Sequence, residues 1–316
     1  MPEPIPDNNT ATVVIPTQNA GRHIPGLLDS LQAQTLKPAQ IIVVDSESTD
    51  QTVQLARSQN CKVITIKRSD FDHGTARNLP FSKIQTEFVI YLTQDALPCD
   101  KYAVENIIRP LSDDEKAGAA FGRQLPYPDA SFFAEHLRLF NYPENSYERI
   151  LNDKKKYGIK TAFLSNSFAA YRRSVLEEIG YFKSDLIFGE DTLAAAEILL
   201  KGYKIAYAAD AKIFHSHNYT VLQDFKRYFD MGVFHKTENW LLNEFGSAKG
   251  QAFEYVKSEF RSLLKRKKFS LLPVFVLRNF MKHLGYNLGL QYNRLPIKIA
   301  RQFSMNQQWW DKKNKP

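Results

Sequence analysis

Cysteine is scarce in this 316-residue chain. Cys61 and Cys99 are the only two, too few for a disulfide framework and not in a metal-type spacing. A reducing, cytoplasmic setting is the expectation. Long apolar runs are missing too: no stretch of about 18 apolar residues occurs, which argues against a membrane-spanning helix. The start, Met1–Thr10, is polar and proline-rich and does not read as a secretory signal. No G-x-G-x-x-G follows the first apolar run and no G-x-x-x-x-G-K-[ST] occurs, so neither a Rossmann dinucleotide site nor a P-loop is supported. Acids are nearly absent from residues 265–316, where twelve Lys/Arg face Asp311 alone. That segment carries +11 of a net +8, which leaves −3 for residues 1–264. The basicity belongs to the C-terminal segment, not to the whole protein.

What is present is a regular alternation. Thr12–Pro16, Ile41–Val44, Lys62–Ile66 and Phe88–Leu92 read as strands, the first and the last of them as buried ones. Between them, Ile24, Leu27, Leu28 and Leu31 fall at helical spacing, a second helix starts near Val53, and a third is expected within Gly74–Gln85. Strands alternating with helices predict βαβ units, hence a doubly wound, mostly parallel α/β sheet. Further on, strands are expected at Ala117–Phe121, Phe163–Tyr171, Ile205–Ala208 and Lys212–His215. Helices are expected at Ser131–Phe140, Ser174–Ile179 and Asp191–Leu200, with a long loop over Tyr142–Tyr157. Beyond Thr220 the pattern is helical, with breaks near Gly246, Gly250 and Pro273. The expected division is a catalytic α/β domain over 1–225 and a basic, mostly helical region over 226–316.

In an open α/β sheet, ligands sit beyond the carboxyl ends of the strands. Pro16, Thr17 and Asn19 follow the first strand, where backbone and hydroxyl groups can meet a base. Asp45 ends the second, where a carboxylate can accept from a base N–H or a ribose hydroxyl. Arg77 is a candidate diphosphate clamp. Phe88–Leu92 runs into Thr93-Gln94-Asp95; Asp95 is placed to hold a metal against a phosphate, or simply to cap the next turn.

The stretches Phe71–Asn78 (FDHGTARN), Leu92–Ala96 (LTQDA), Phe121–Pro126 (FGRQLP), Phe188–Asp191 (FGED) and His215–Tyr219 (HSHNY) carry a resemblance. Together with Val14–Thr17 and Val43–Ser46 they resemble a family-2 glycosyltransferase of the GT-A fold, and within it the bacterial rhamnosyltransferases of O-antigen-type polysaccharides. The resemblance implies that Thr17 and Asp45 hold the nucleoside, with Pro16, Asn19 and Gln94 beside them, and that Arg77 holds the diphosphate. Asp95 matches the metal-ligating end of the family's Asp-x-Asp signature, whose earlier position is here Thr93, so one carboxylate remains. His217 is then the expected second ligand of a Mg²⁺ or Mn²⁺ ion, whereas His215 reads as a satisfied structural histidine. Asp191 would be the catalytic base and Glu190 would orient the acceptor or the base. Arg123 and Gln124 are expected to line the sugar pocket. Asn166 and Arg172 are expected to face the acceptor, a surface role for Arg172 staying open.

The implied activity is inverting transfer of L-rhamnose from dTDP-β-L-rhamnose to a lipid-linked oligosaccharide. A UDP- or GDP-sugar donor, or a non-catalytic nucleotide-sugar-binding protein, are the alternatives. The tail from Lys265 through Trp309-Trp310 to Lys315, basic and aromatic, suits a helix in the interface of an anionic membrane, giving a peripheral location on the inner face of the plasma membrane. The rival reading is an ordinary helical subdomain with a solvated basic face. No nucleic-acid module accompanies the charge; homo-oligomerisation stays open.

Overall fold

A computed structural model describes residues 11–247 and 249–313; the expectations for Met1–Thr10 and Lys315 lie outside the described residues. The first half builds as its alternation predicts, with β1 (Ala11–Thr17), α1 (Ile24–Gln32), β2 (Gln40–Asp45), α2 (Thr52–Ser58), β3 (Lys62–Thr65), α3 (His73–Asn78) and β4 (Phe88–Leu92) in order. These strands lie β3-β2-β1-β4, all parallel. Successive strand residues point to opposite faces. Val13, Ile15, Val43 and Ile90 therefore enter one apolar layer with Leu27 and Leu28 of α1, and Val14, Val44 and Tyr91 enter the other. Burying each Val, Ile or Leu side chain contributes about 1.5–3 kcal/mol. Pro16 is tolerated because β4 pairs β1 only as far as Val14, so its missing N–H costs no bond on that side.

The chain continues through β5 (Leu97–Pro98), α4 (Ala103–Asp113), β6 (Ala117–Leu125), α5 (Phe132–Asn141), β7 (Tyr147–Arg149), α6 (Lys154–Tyr157), β8 (Phe168–Arg172), α7 (Arg173–Glu178), α8 (Glu190–Leu200) and β9 (Lys204–Phe214). The sheet runs on as β4-β8-β6-β9-β5, with β7 also on β9. It is mixed: β8 is antiparallel to β4 and β6, β6 and β9 are parallel, and β5 and β7 run antiparallel to β9. The carboxyl ends of β1, β2, β4, β6 and β9 therefore share one edge, joined there by the start of β8.

Three expectations change. The expected loop Tyr142–Tyr157 contains β7 and α6, because Tyr147 pairs in register with Tyr207 and stacks near it. The strand expected from Phe163 starts only at Phe168, a 3₁₀ turn occupying Gly158–Ala162 just before. Ile205–Ala208 and Lys212–His215 are one strand, β9, with a bulge where Gly122 pairs Ala208 and Arg123 pairs Lys212. Bulge residue Asp210 makes the sequence read as a break.

Six helices follow: α9 (Val221–Thr237), α10 (Asn239–Phe245), α11 (Lys249–Lys265), α12 (Leu272–Leu290), α13 (Ile297–Phe303) and α14 (Gln307–Lys313). The 225/226 boundary falls inside α9. Helices α9 and α12 cross in near-contact: a Cβ at Gly289 would lie 2.1 Å from the Phe229 carbonyl oxygen, and one at Gly285 2.4 Å from that of Phe225. Only part of the basic, aromatic tail faces outward. Trp309 and Trp310 are buried in the same layer as Ala194 and Phe229, and Arg278 and Lys282 turn inward toward Asp224. Those side chains belong to a packed helical layer rather than to an outer face. Among the described residues no helix is long and apolar enough to cross a membrane.

Candidate active site

The shared sheet edge collects most of the expected polar groups. Thr17, at the end of β1, donates from Oγ1 to Asp45 Oδ1 at 3.1 Å, and Asp45 also accepts from the Ser48 backbone N–H at 2.9 Å and from the Ser48 hydroxyl. Asn19, held at φ 49°, accepts from the Thr49 N–H, while its own N–H donates to Ser48 Oγ at 2.8 Å. These bonds fasten the β1 and β2 loops into one unit. Gln94 ties the β4 loop to it, accepting from the Gln18 N–H at 2.8 Å. Pro16 stays in register with Val44 at the base of this unit.

Asp95 leaves β4 just where β9 ends. Its Oδ2 lies 3.5 Å from the Nε2 atoms of both His215 and His217, and the three ligand atoms fall within 4.8 Å of one another. His215 is thus a member of the cluster, not a bystander. Gln124 explains its orientation. Arg138 Nη1, which can only donate, gives a hydrogen bond to Gln124 Oε1 at 2.8 Å, and Gln124 Nε2 donates to Ser165 Oγ. His215 Nδ1, 2.9 Å from the same Oε1, must therefore be the protonated nitrogen. Its Nε2 lone pair then points at a carboxylate. Burial lowers both histidines, His217 to about 4, so both are neutral near pH 7. The Asp95 carboxyl lies below its usual range even though burial acts to raise it. Asp95 Oδ2 and the Nε2 atoms of both histidines thus converge on one point, three ligand atoms that a cation between them would join. The donor set fits a divalent ion that takes mixed nitrogen and oxygen ligands, and the Gln124 bond is the outer support such histidines need.

A second cluster sits at the start of α8. Gly189 adopts φ +87°, a conformation open to glycine, and this turn aims Glu190 and Asp191 at the edge. Glu190 is buried, 3.0 Å from Arg77 Nη1, and accepts from Asn166 Nδ2 at 3.1 Å; Tyr171 donates to Asn166 Oδ1 at 2.7 Å. Burial would raise Glu190, but Arg77 and then His73 overcome it, so its carboxyl is held low. Asp191 has no salt-bridge partner among the described residues. It accepts from the Asn166 and Thr192 N–H groups at 3.2 and 2.7 Å, and burial together with the Glu190 charge raises it to about 7.

The structure therefore relocates several expected residues. Arg77 is not aimed at a diphosphate: its guanidinium is buried beneath the edge and paired with Glu190. Glu190 is buried, its carboxylate engaged by Arg77 and Asn166. Gln124 is buried behind His215 rather than lining a sugar pocket, and Arg123 pairs with Glu144 at 3.2 Å. Arg172 is at the opposite edge, in register with Phe88, bonded to Glu87 and to the Leu111 carbonyl. The antiparallel course of β8 sends its end away from the site. Asp72 caps α3 through the Thr75 N–H, and the rim of His73 packs on Phe71.

Other groups were not singled out in advance. A cleft of ≈ 680 Å³ is lined by Asp95 and His217 together with Arg22, Gln94, Tyr127 and Tyr219. Tyr127 donates to the Asp95 carbonyl at 3.0 Å. The Tyr219 ring stacks on His217 at 5.3 Å, and the exposed Arg227 guanidinium lies 5.8 Å from the Tyr219 ring centre. Among the described residues no carboxylate pairs with Arg227, and its charge reaches both imidazoles. The spacing His-x-His did hint at His215; nothing local in the sequence marked Arg138 or Arg227.

With this geometry in hand, comparison with known proteins is informative. A family model described as glycosyl transferase family 2 matches residues 12–180. The chain is 46% identical over 302 residues to the O-antigen chain rhamnosyltransferase RfbN of Salmonella typhimurium, covering 95% of this chain and 96% of that one. It is 45% identical to the O-antigen chain rhamnosyltransferase WbaN of Salmonella anatum, covering 95% of each. Among solved structures it resembles the mannosyltransferase PcManGT from Pyrobaculum calidifontis, in complex with GDP-Man and Mn²⁺, at a TM-score of 0.57 and 19% identity, over 95% of this chain and 84% of that one. It also resembles S. aureus TarS 1-349, at a TM-score of 0.54 and 18% identity, over 90% and 91%. At these identities the structural likeness shows the fold.

Proposed function

The chain belongs to glycosyl transferase family 2, and on that premise we propose that it transfers L-rhamnose from dTDP-β-L-rhamnose to a lipid-linked glycan with inversion. It is a glycosyltransferase of GT-A fold; the sugar, the base and the acceptor are our reading. The rhamnosyl assignment rests on the two Salmonella relatives, each similar over 95% of this chain.

The observation that carries the mechanism is the divided acidity of Glu190 and Asp191. Glu190, paired with Arg77, stays ionised and raises its neighbour. Asp191 thereby acquires an affinity for protons matched to neutral pH, as a general base requires. In the proposed step Asp191 takes the proton of the acceptor hydroxyl as that oxygen forms a bond to the anomeric carbon. The bond from that carbon to the diphosphate oxygen breaks, and its electron pair leaves with the nucleoside diphosphate. Asp95, His217 and His215 would hold a divalent cation, Mg²⁺ or Mn²⁺, which when bound neutralises diphosphate charge. Arg227, without a carboxylate partner among the described residues and set against the Tyr219 ring that stacks on His217, would stabilise the leaving diphosphate in place of Arg77. Thr17, Asn19 and Asp45 build the loop unit against which the nucleoside would rest, with Gln94 bracing it. A lipid-linked acceptor places the enzyme at the inner face of the plasma membrane.

The test is the product. From dTDP-β-L-rhamnose, inversion gives an α-L-rhamnosidic bond, read from the anomeric coupling in the product's NMR spectrum. A β-linked product would sink the single-displacement reading. No transfer from the dTDP sugar, with transfer from a UDP or GDP sugar, would keep the enzyme class and discard rhamnose.

A further inference from the structure

Helices α11 and α12 expose large apolar side chains that no other described part of the chain covers. On α11, Phe253 and Phe260 lie two turns apart, on the face left when Tyr255, Glu259 and Leu263 turn inward. On α12, Val276, Leu277 and Phe280 occupy the side away from Phe275, Arg278 and Lys282, which are buried. Phe269 stands in the connection between the helices. Phe253, Val276 and Phe280 are 66%, 63% and 58% exposed. Single exposed apolar residues need no explanation, but a set of this size on two helices packed together marks a contact surface. The two helices act as one unit, since the Phe260 ring lies 5.8 Å from that of Phe275 and Asn279 donates to Glu259 at 3.2 Å.

The charge around this patch is mostly of one sign, Glu254 being an exposed acid 3.8 Å from Lys257. Lys257, Arg261, Lys265, Lys267 and Lys268 flank it, all on α11 or on the turn that follows. The two acids between 249 and 290 are Glu254 and Glu259, and Glu259 is buried. A second copy of the chain docked here about a two-fold axis would bring this basic rim against itself. A nucleic-acid duplex, its bases already stacked, would leave the phenylalanines without a partner, and no single-strand-binding module accompanies them. A bilayer with anionic lipids satisfies both features, apolar side chains entering the acyl boundary and ammonium groups meeting the phosphates.

We infer that the α11–α12 unit is the surface by which this enzyme docks on an anionic membrane. It deepens the reading of a lipid-linked acceptor by naming the surface that reaches it, and it does not depend on which sugar is transferred. The inward face of α12 joins the cleft: Arg278 Nη1 donates to the Tyr219 carbonyl at 2.8 Å, and the Tyr219 ring stacks on His217. A lipid-borne acceptor held at this surface is thus one helix from the proposed metal site.

The test uses the full chain, pelleted with vesicles of phosphatidylcholine alone or with a quarter phosphatidylglycerol, at low and at physiological salt. The parent chain is expected to bind the anionic vesicles and to be weakened by salt. Changing Phe253→Ser, Val276→Ser and Phe280→Ser together should cut partitioning at least about tenfold. Changing Lys265→Glu, Lys267→Glu and Lys268→Glu together should cut it about a hundredfold on anionic vesicles and remove the salt dependence. dTDP binding, retained in both variants, shows that they are folded. Equal partitioning of the apolar variant overturns the inference. So does failure of the parent chain to bind anionic vesicles, including a result in which light scattering finds a dimer that the apolar variant dissociates. Failure of the parent chain to bind dTDP strikes the donor assignment instead and leaves membrane docking standing.

Discussion

The Arg77 guanidinium lies 3.0 Å from the Glu190 carboxylate, both buried beneath the edge where Asp191 opens. This pair fixes which of two adjacent acids keeps its charge. It also separates two arginines that sequence alone does not distinguish: Arg77 is buried and paired with Glu190, and Arg227 is exposed beside the Tyr219 ring that lines the cleft.

Replacing each arginine by Met separates those roles. Arg77→Met leaves Glu190 buried without its cation and is expected to destabilise the fold by about 3–5 kcal/mol, read by urea unfolding. Arg227→Met removes an exposed, unpaired cation and should leave stability within about 0.5 kcal/mol while weakening dTDP binding. Equal loss of stability in the two variants would contradict the assignment.

Asp191 sets the pH dependence. Because its carboxyl is raised to about 7, the base form grows as pH rises, so kcat/KM should climb between pH 6 and 8 with an apparent pKa of about 7. Asp191→Asn should lower kcat by about 10²–10⁴-fold and remove that limb. The same raised carboxyl means that the folded state holds this proton more tightly than the unfolded chain. Its contribution to stability is full below the ordinary Asp range near 3.8 and is lost as pH rises through about 7. At pH 8 the Asn variant should therefore melt no lower than the parent. A flat pH–rate profile from 6 to 8 would remove Asp191 as the base.

Gln124 is buried and touches no open space, yet it fixes the tautomer of His215. Gln124→Leu is expected to weaken Mn²⁺ binding about 10–100-fold, measured by electron paramagnetic resonance of free Mn²⁺. Gln124→Glu keeps an acceptor toward Nδ1 and should restore much of it. Unaltered Mn²⁺ affinity in the Leu variant would detach Gln124 from the metal site.

The C-terminal helix braces the catalytic turn. Trp309 Nε1 donates to the Asp185 carbonyl at 3.0 Å and Asn306 Nδ2 to that of Ile187 at 2.7 Å, just ahead of Glu190. Trp310 packs on Phe229 and Tyr292. Trp310→Ala should cost about 3–5 kcal/mol by unfolding, as truncation of a buried aromatic does. A loss under about 1 kcal/mol would return this helix to the surface role suggested by its composition.

The parallel half of the fold was legible because β1, β2 and β4 are short apolar runs with a turn residue behind them, while β3, a half-exposed edge strand, follows from the alternation. Thr17, Asp45, Asp95, Asn166, Asp191 and His217 meet at one edge for the same reason: each stands at a strand end or helix start, where local pattern decides position. The misplacements have one physical origin. Direction within a mixed sheet is a tertiary property, so nothing near Arg172 signals that β8 runs backward. Likewise, Arg77 and Arg227 look alike until their neighbours are known, and Asp210 hides the continuity of β9. The tail misled through composition: Trp309, Trp310, Arg278 and Lys282 suit a membrane interface or a packed helical layer equally well, and packing alone separates them from Phe253, Val276 and Phe280.

The account is tested most directly by calorimetric titration of the full chain with dTDP, UDP and GDP, each with and without Mn²⁺. It predicts that dTDP binds most tightly, that Mn²⁺ tightens it, and that His217→Ala abolishes the tightening while leaving metal-free binding in place. Equal affinity for dTDP with and without Mn²⁺, unchanged by His217→Ala, would contradict a metal held by Asp95, His215 and His217. Preference for UDP or GDP would contradict the rhamnosyl donor.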